Sequence, residues 1–287
     1  MKVFLTTSPD RPGIEPSFLK TAKKLCDLGV DVAVDKNEVS AFDMTGVACR
    51  FFEERKAALE ECDYIIAVGG DGTIFHAAAE AMFYEKAVLG INAGRLGFLA
   101  QLEMDELDRL SKFLSGDYII EERIVLEANL SLADGGTKNA YAVNDVVIAR
   151  PDFGRVCDIE VDCNGCFVGS YRADGLIFAT PTGSTAYSLS AGGPIADSTV
   201  SCIIMTPLAS HSLVTRSIVF DGEKKLTVRS PECDSDAFFL IVDGKTIDAV
   251  SKNDIVTIKK SSFKTRFVSL NGRNFYQILT DKMKNRG

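Results

Sequence analysis

An apolar run that empties into glycines constrains this chain more than any other feature. Tyr64, Ile65, Ile66, Ala67 and Val68 read as a strand, Gly69, Gly70, Asp71, Gly72 and Thr73 follow, and Ile74 to Met82 reads as an alanine-rich helix. A strand that feeds a helix through glycines gathers free backbone N–H groups and the positive end of the helix dipole at one point, which suits a phosphate. Gly69, Gly70 and Gly72 let a phosphate approach the main chain with no Cβ in the way. Asp71 is out of place there, because a carboxylate repels phosphates. It makes sense if it takes a proton from an attacking hydroxyl or sits near a metal. The plainer alternative is a tight turn with Asp71 as helix N-cap.

The composition narrows the function classes. At 287 residues, 46% hydrophobic and 25% charged, the chain can bury a sizeable core in one or two domains. The net charge of −8 disfavours a general nucleic-acid or anionic-membrane binder. An anionic substrate would then need local arginines and backbone donors. No apolar run reaches about 18 residues, so no membrane span is expected, and Met1 to Leu5 reads as a first strand rather than a signal peptide. Eight cysteines (Cys26, Cys49, Cys62, Cys157, Cys163, Cys166, Cys202 and Cys233) are spread as in a cytoplasmic protein with reduced thiols. Cys163-Asn164-Gly165-Cys166 has a metal-ligand spacing, but no second pair accompanies it. Asn-Gly between strand-like runs signals a hairpin.

Residues 1–118 alternate strand and helix signals. Val3 to Thr7, Val30 to Val34, Tyr64 to Val68 and Val88 to Ile91 read as strands. Ser17 to Leu28, Glu53 to Glu61 and Asp105 to Leu114 read as helices. The alternation predicts an open, mostly parallel sheet with helices on both faces, and ligands beyond the carboxyl ends of its strands. The Gly-Gly-Asp-Gly loop and the loop Asn92 to Phe98 both follow strands and should converge there. Residues 119–267 change texture to short strand-like runs, among them Tyr118 to Val125, Leu126 to Leu132, Ala140 to Ala149, Val156 to Cys163 and Asp254 to Lys259, which predicts a β-rich, sandwich-like second domain. The tail, 268–287, carries a weak helical pattern from Phe275 to Met283 and is expected to pack back on the first domain.

Two further stretches carry chemistry. Thr180 to Pro194 places hydroxyls, a proline and a glycine ahead of a small-residue helix, a second donor-rich helix start with more Ser and Thr than capping needs. Asn144-Asp145 interrupts a strand-like run with residues that strands disfavour, which marks a bulge, a site or a simple turn.

Together these residues resemble the NAD kinase family. The resemblance rests on Gly69 to Thr73, on Asn92-Ala93-Gly94-Arg95-Leu96-Gly97-Phe98, on Asn144-Asp145, on Asp174-Gly175 with Thr180 to Tyr187, and on Pro207 with His211-Ser212-Leu213. The run ending Gly183-Ser184-Thr185-Ala186-Tyr187 is its most specific part. The resemblance implies an α/β domain plus a β-sandwich-like domain, assembled as a homodimer or homotetramer. It implies transfer of the terminal phosphoryl of ATP, or in some members of polyphosphate, to the 2′-hydroxyl of the adenosine ribose of NAD, giving NADP. Asp71 would be the base. Gly72 and Thr73 would line the ribose and phosphates, Phe98 would sit near the adenine, and Asn144 and Asp145 would hold the adenosine. Thr182 would hydrogen-bond the adenine, Thr185, Ala186 and Tyr187 would complete the pocket, and Asp174 would contact the dinucleotide from its own or a neighbouring subunit. Mg²⁺ would arrive with ATP, since no dedicated metal cage is visible.

The chain departs from the family in two places. Asp145 stands where the family usually has Glu, one methylene shorter, and Ala173 stands where it usually has Gly, which would strain a positive φ. His76 is read as a packing residue and His211 as structural. A kinase of another acceptor, such as a lipid or sugar phosphate, would share the glycine loop but leave Thr180 to Tyr187 unexplained. A non-catalytic dinucleotide-binding regulator would not need Asp71.

Overall fold

In the computed structural model the described residues are 1–94, 97–150, 157–211, 215–229, 238–270 and 275–284. Arg95, Leu96, Val156, Ser212, Leu213 and Cys233 of the sequence reading lie outside them. The chain divides into two units, Met1–Glu122 with Thr265–Gly287, and Arg123–Lys264.

The first unit is built on a parallel sheet in the order Arg50–Phe52, Asp31–Asp35, Lys2–Thr7, Tyr64–Gly69, Ala87–Asn92. The central strands are buried along almost their whole length. Parallel strands covered on both faces read as unbroken apolar runs for that reason. The helix Glu15–Asp27 turns Phe18, Thr21, Ala22 and Leu25 inward, and Gly29 at φ 77° ends it. Its packing joins Val3, Leu5, Leu89, Phe113 and Val268 in one core. Register aligns the carboxyl ends of the central strands, with Thr7 opposite Val68 and Gly69 opposite Asn92. The Thr7 hydroxyl donates to Val68 O at 2.7 Å, and Ala93 N–H to Gly69 O at 3.0 Å.

Local elements differ from the sequence reading in instructive ways. The helix after the glycines runs Asp71–Ala81, three residues earlier than its apolar pattern begins, so Asp71 is its first residue and not its cap. Gly70 takes the extended cap position. The expected helix Asp105 to Leu114 is a 3₁₀ turn, Leu107–Arg109, followed by a short α-helix, Leu110–Leu114. Arg50–Phe52 is a strand that its three residues were too short to announce. The last helix, Phe275–Lys284, places the Phe275 ring 6.2 Å from that of Phe98.

The second unit is antiparallel. One set of strands comprises the hairpin Cys157–Cys163 and Cys166–Ala173, then Leu226–Arg229 and the first part of Ile255–Ser269, with Thr137–Ala142 paired to Ile119–Ser131. The other runs Ile218–Asp221, Cys202–Leu208, Gly175–Ala179, Asp145–Ala149, Phe238–Val242, Lys245–Val250. Leu126, Val161, Leu226 and Ile258 of the first set pack with Phe178, Met205 and Leu240 of the second, which makes a sandwich. Ile177 and Ala179 face the other way, against Ala191 and Ala196. The expected pair Tyr118 to Val125 and Leu126 to Leu132 is one continuous strand, Ile119–Ser131, with Arg123, Ile124, Val125 and Leu126 all buried across the expected junction. Cys202–Leu208 was not anticipated, since its Pro207 argues locally against a strand.

The Asn-Gly signal forms the expected hairpin, with Asn164 at φ 51° and Gly165 at φ 81° and Cys163 opposite Cys166. Both cysteines are free thiols. Replacing both with serine is expected to leave kcat unchanged and release no zinc. A stoichiometric metal that disappears in the double variant would contradict this. Ala173 ends its strand without positive φ, so the missing glycine imposes no strain.

Candidate active site

In the first unit the glycine loop and the loop 92–98 meet on Asp71. Its Oδ2 accepts the Phe98 N–H at 2.9 Å and its Oδ1 the Leu99 N–H at 3.1 Å. Lys282, from the last helix, places its Nζ 3.1 Å from Oδ2. A Cβ on Gly97 would fall 2.0 Å from Asp71 Oδ1, so only glycine lets the loop close on the carboxylate. Asp71 still keeps 34% of its side-chain exposure. It is therefore oriented by three donors and open on one side.

Gly72 and Thr73 lie in the first helical turn, whose N–H groups have no carbonyl partner inside the helix. Gly69 and Gly70 form the approach to it. Arg11, which the sequence reading passed over, lies across these loops. Its Nη2 donates to Ala93 O at 3.1 Å and its guanidinium fills the space beside Gly94. Among the described residues Arg11 pairs with no carboxylate, so it has donors to spare for a phosphate. The Phe98 ring faces Lys282 Nζ at 3.9 Å and tilts against Phe275. His76, read as a packing residue, is exposed, with its ring edge-on to that of Phe75. His211 is also exposed, and its N–H donates to Arg172 O.

In the second unit Asn144 sits where the run 140–149 breaks, between Thr137–Ala142 and Asp145–Ala149. One carboxylate shapes this turn. Asp243 accepts the N–H groups of Val143, Asn144 and Asp145 at 2.8, 2.9 and 3.0 Å. The run Thr180 to Tyr187 closes on the same turn. Thr180 N–H donates to Asn144 O at 2.8 Å and its hydroxyl to Val143 O at 2.6 Å. A Cβ on Gly183 would fall 2.0 Å from Asn144 O, so this backbone contact also demands glycine.

The anticipated helix start in this run is a 3₁₀ turn, Thr182–Thr185, and a single short helix, Tyr187–Ser190. Its hydroxyls are mostly turned onto the chain's own backbone. Ser184 donates to Pro181 O at 2.6 Å and Thr185 reaches Thr182 O at 3.3 Å. The abundance of Ser and Thr thus locks the turn more than it offers donors. Thr182 is the exception, since its buried Oγ1 has no hydrogen-bond partner among the described residues. An orphaned buried hydroxyl beside Asn144 is what a ligand would satisfy. Tyr187 keeps 48% exposure and Ala186 is half-buried.

Asp174 is not brought to this cluster. Gly175 pairs with Ala149 and Ala179 with Asp145, so Asp174 lies at the opposite end of the strand Gly175–Ala179. Asp174 is five residues of strand away from Ala179, about 17 Å.

Burial, and after it the Asp243 carboxylate, push Asp145 up to about 7. The native chain therefore holds this proton more tightly than the unfolded chain, where an Asp titrates near 4. Stability attributable to Asp145 is greatest below that value and falls as pH rises from about 4 to about 7. The Asp145→Asn variant lacks this titration and is expected to gain on the wild type across that window. Melting temperatures of both proteins measured over the range check it, and parallel curves would contradict it.

Two family descriptions match the chain: the ATP-NAD kinase N-terminal domain over residues 9–118 and the ATP-NAD kinase C-terminal domain over residues 143–270. The chain belongs to the NAD kinase family. An NAD kinase from Caldanaerobacter subterraneus is 41% identical over 225 residues, 78% of this chain and 79% of the relative. One from Chlorobium phaeovibrioides is 37% identical over 279 residues, 89% of this chain and 98% of the relative. Among solved structures, yeast NADH kinase complexed with NADH aligns with a TM-score of 0.88 at 23% identity, over 99% of this chain and 87% of that one. An NAD kinase from Archaeoglobus fulgidus in complex with ATP aligns with a TM-score of 0.74 at 24% identity, over the whole of both chains. These two share the NAD kinase fold with this chain.

Proposed function

We propose that this chain is an NAD kinase that transfers the terminal phosphoryl group of ATP to the 2′-hydroxyl of the adenosine ribose of NAD, forming NADP. The observation that carries the reading is Asp71: a carboxylate at the start of a phosphate-type helix, oriented by Phe98 N–H, Leu99 N–H and Lys282, with one side open. Phosphoryl transfer asks for positioning and charge stabilisation more than for covalent chemistry. Asp71 draws the hydroxyl proton as the ribose oxygen attacks the terminal phosphorus, and ADP leaves. The N–H groups at Gly69, Gly70, Gly72 and Thr73, with Arg11, take the phosphate charge.

Asn144, Asp145 and Thr182 hold the adenosine, and Phe98, Thr185, Ala186 and Tyr187 complete the contacts to NAD. The orphaned Thr182 hydroxyl and the half-exposed Tyr187 ring support this assignment. A homo-oligomer is part of the proposal: Asp174 lies at the far end of its strand, and its carboxylate reaches the dinucleotide of a second copy. Among the described residues no three His, Cys, Asp or Glu side chains cluster as metal ligands, and Asp71 is already engaged. Mg²⁺ would arrive with the incoming ATP and would neutralise charge on the donor, and no step here runs through a protein-held metal. A cytoplasmic location fits the free thiols at Cys26, Cys49, Cys62, Cys163, Cys166 and Cys202. No helix among the described residues is long and apolar enough to cross a membrane.

The test is a coupled assay with purified protein, NAD and Mg-ATP, in which an NADP-specific dehydrogenase reports product. Turnover that requires both substrates is expected. Absence of NADP, with ATP consumed on a lipid or sugar phosphate instead, would overturn the reading. Within that assay Asp145→Ala is expected to raise KM for NAD about 5- to 150-fold, from the roughly 1–3 kcal/mol cost of an unmatched polar partner. KM for ATP should move much less.

A further inference from the structure

A carboxylate set among phosphate-binding groups needs an explanation that the base role alone does not give. Before the proton moves, Asp71 and the ATP phosphates are all anionic, and their repulsion opposes the approach that catalysis requires. The structure holds a countercharge at the right atom. Lys282 Nζ lies 3.1 Å from Asp71 Oδ2, the oxygen that also accepts the Phe98 N–H. The ammonium stands 3.9 Å from the centre of the Phe98 ring, so the same loop supplies Asp71 with a backbone donor and Lys282 with a π face.

This is not an ordinary surface ion pair, which contributes little because water screens it. The Lys282 side chain keeps 16% of its exposure, whereas Lys2 and Lys56, in ion pairs with Glu61 and Glu60, keep 46% and 69%. Among the described residues, Lys282 is the cation paired with Asp71, and Arg11 lies over the neighbouring glycines.

We propose that Lys282 is the counter-ion of Asp71 and a positioning residue of the phosphoryl transfer, and that the last helix, Phe275–Lys284, exists in part to deliver it. The inference rests on Asp71 being the base. Lys282 keeps its protons throughout. It offsets the charge of Asp71 while ATP binds and fixes the carboxylate so that its open side faces the hydroxyl. When Asp71 accepts the hydroxyl proton and becomes neutral, the ammonium remains as positive charge beside the newly formed phosphate.

The test uses the full chain with Lys282→Met, Lys282→Arg, Asp71→Asn and the Asp71→Asn/Lys282→Met double variant, in steady-state kinetics with NAD and Mg-ATP. Methionine keeps the apolar contact with Phe98 and removes only the charge. Lys282→Met is expected to lower kcat about 10- to 100-fold, the worth of one charge-assisted hydrogen bond. KM for NAD should stay within about twofold, because the lost charge acts on Asp71 and the ATP phosphates rather than on the dinucleotide. Lys282→Arg, which keeps the charge in a different shape, should recover most of the loss. In the Asp71→Asn background Lys282→Met should cost nothing more, since no carboxylate remains to be offset. Melting curves show whether each variant is folded, and the arginine variant separates loss of charge from loss of packing. Wild-type kcat in Lys282→Met beside an inactive Asp71→Asn would overturn this inference and leave the base standing. So would a full additional loss in the double variant, or no recovery with arginine. Wild-type turnover in Asp71→Asn would remove the base, and the counter-ion with it.

Discussion

Asp71→Asn is expected to lower kcat by about 10²- to 10⁴-fold, the usual loss when a general base is removed, while NAD affinity stays near that of the wild type. The substitution is nearly isosteric, yet it changes what the site can do. The carboxylate now accepts from three donors, Phe98 N–H, Leu99 N–H and the Lys282 ammonium. An amide has one accepting oxygen and turns two donors of its own toward them. It can neither take the hydroxyl proton nor satisfy all three neighbours. The adenosine is assigned to Asn144, Asp145 and Thr182, which the substitution leaves in place, so calorimetric titration should show the dinucleotide still bound. Near-wild-type kcat would remove Asp71 from the chemistry.

Asp243→Ala should give the largest loss of structure. Three N–H groups, on Val143, Asn144 and Asp145, lose their common acceptor, and Asp145 is buried. Each orphaned donor costs about 1–3 kcal/mol. Water entering the gap and relief of the repulsion on Asp145 return part of this. A net loss of about 3 kcal/mol is expected, large for one substitution, together with a raised KM for NAD because Asn144 and Asp145 lose their fixed turn. Chemical unfolding and NAD-dependent kinetics measure the two effects. An unchanged unfolding midpoint would show that the turn holds itself, and that Asp243 is incidental.

The fold was largely legible because it rests on local patterns. Apolar strands alternating with the helical spacing of Phe18, Ala22 and Leu25 announce a parallel sheet, and Asn164-Gly165 announces its hairpin. The glycines around Asp71 mark a helix start for the same reason. What stayed hidden depends on contacts between distant residues. Asp243 acts on a turn 98 positions away, Lys282 reaches Asp71 across 211, and Arg11 reaches Ala93 across 82. No spacing rule links such residues, and each looks alone like a solvated charge. At Thr180 to Tyr187 the difference in local structure has the opposite origin. A wealth of hydroxyls looks like a donor surface, but Ser184 and Thr180 spend theirs on carbonyls only a turn or a neighbouring strand away. Of that run the structure leaves Thr182 with a buried hydroxyl unmatched.

The central claim is a phosphoryl transfer to one particular hydroxyl, and phosphorus NMR of the purified product tests it most directly. After turnover of NAD with Mg-ATP, the account predicts a single new phosphomonoester on the 2′-oxygen of the adenosine ribose, with one ADP formed for each. A phosphate on the 3′-oxygen or on the nicotinamide ribose, or ATP hydrolysis with no phosphorylated dinucleotide, would contradict it.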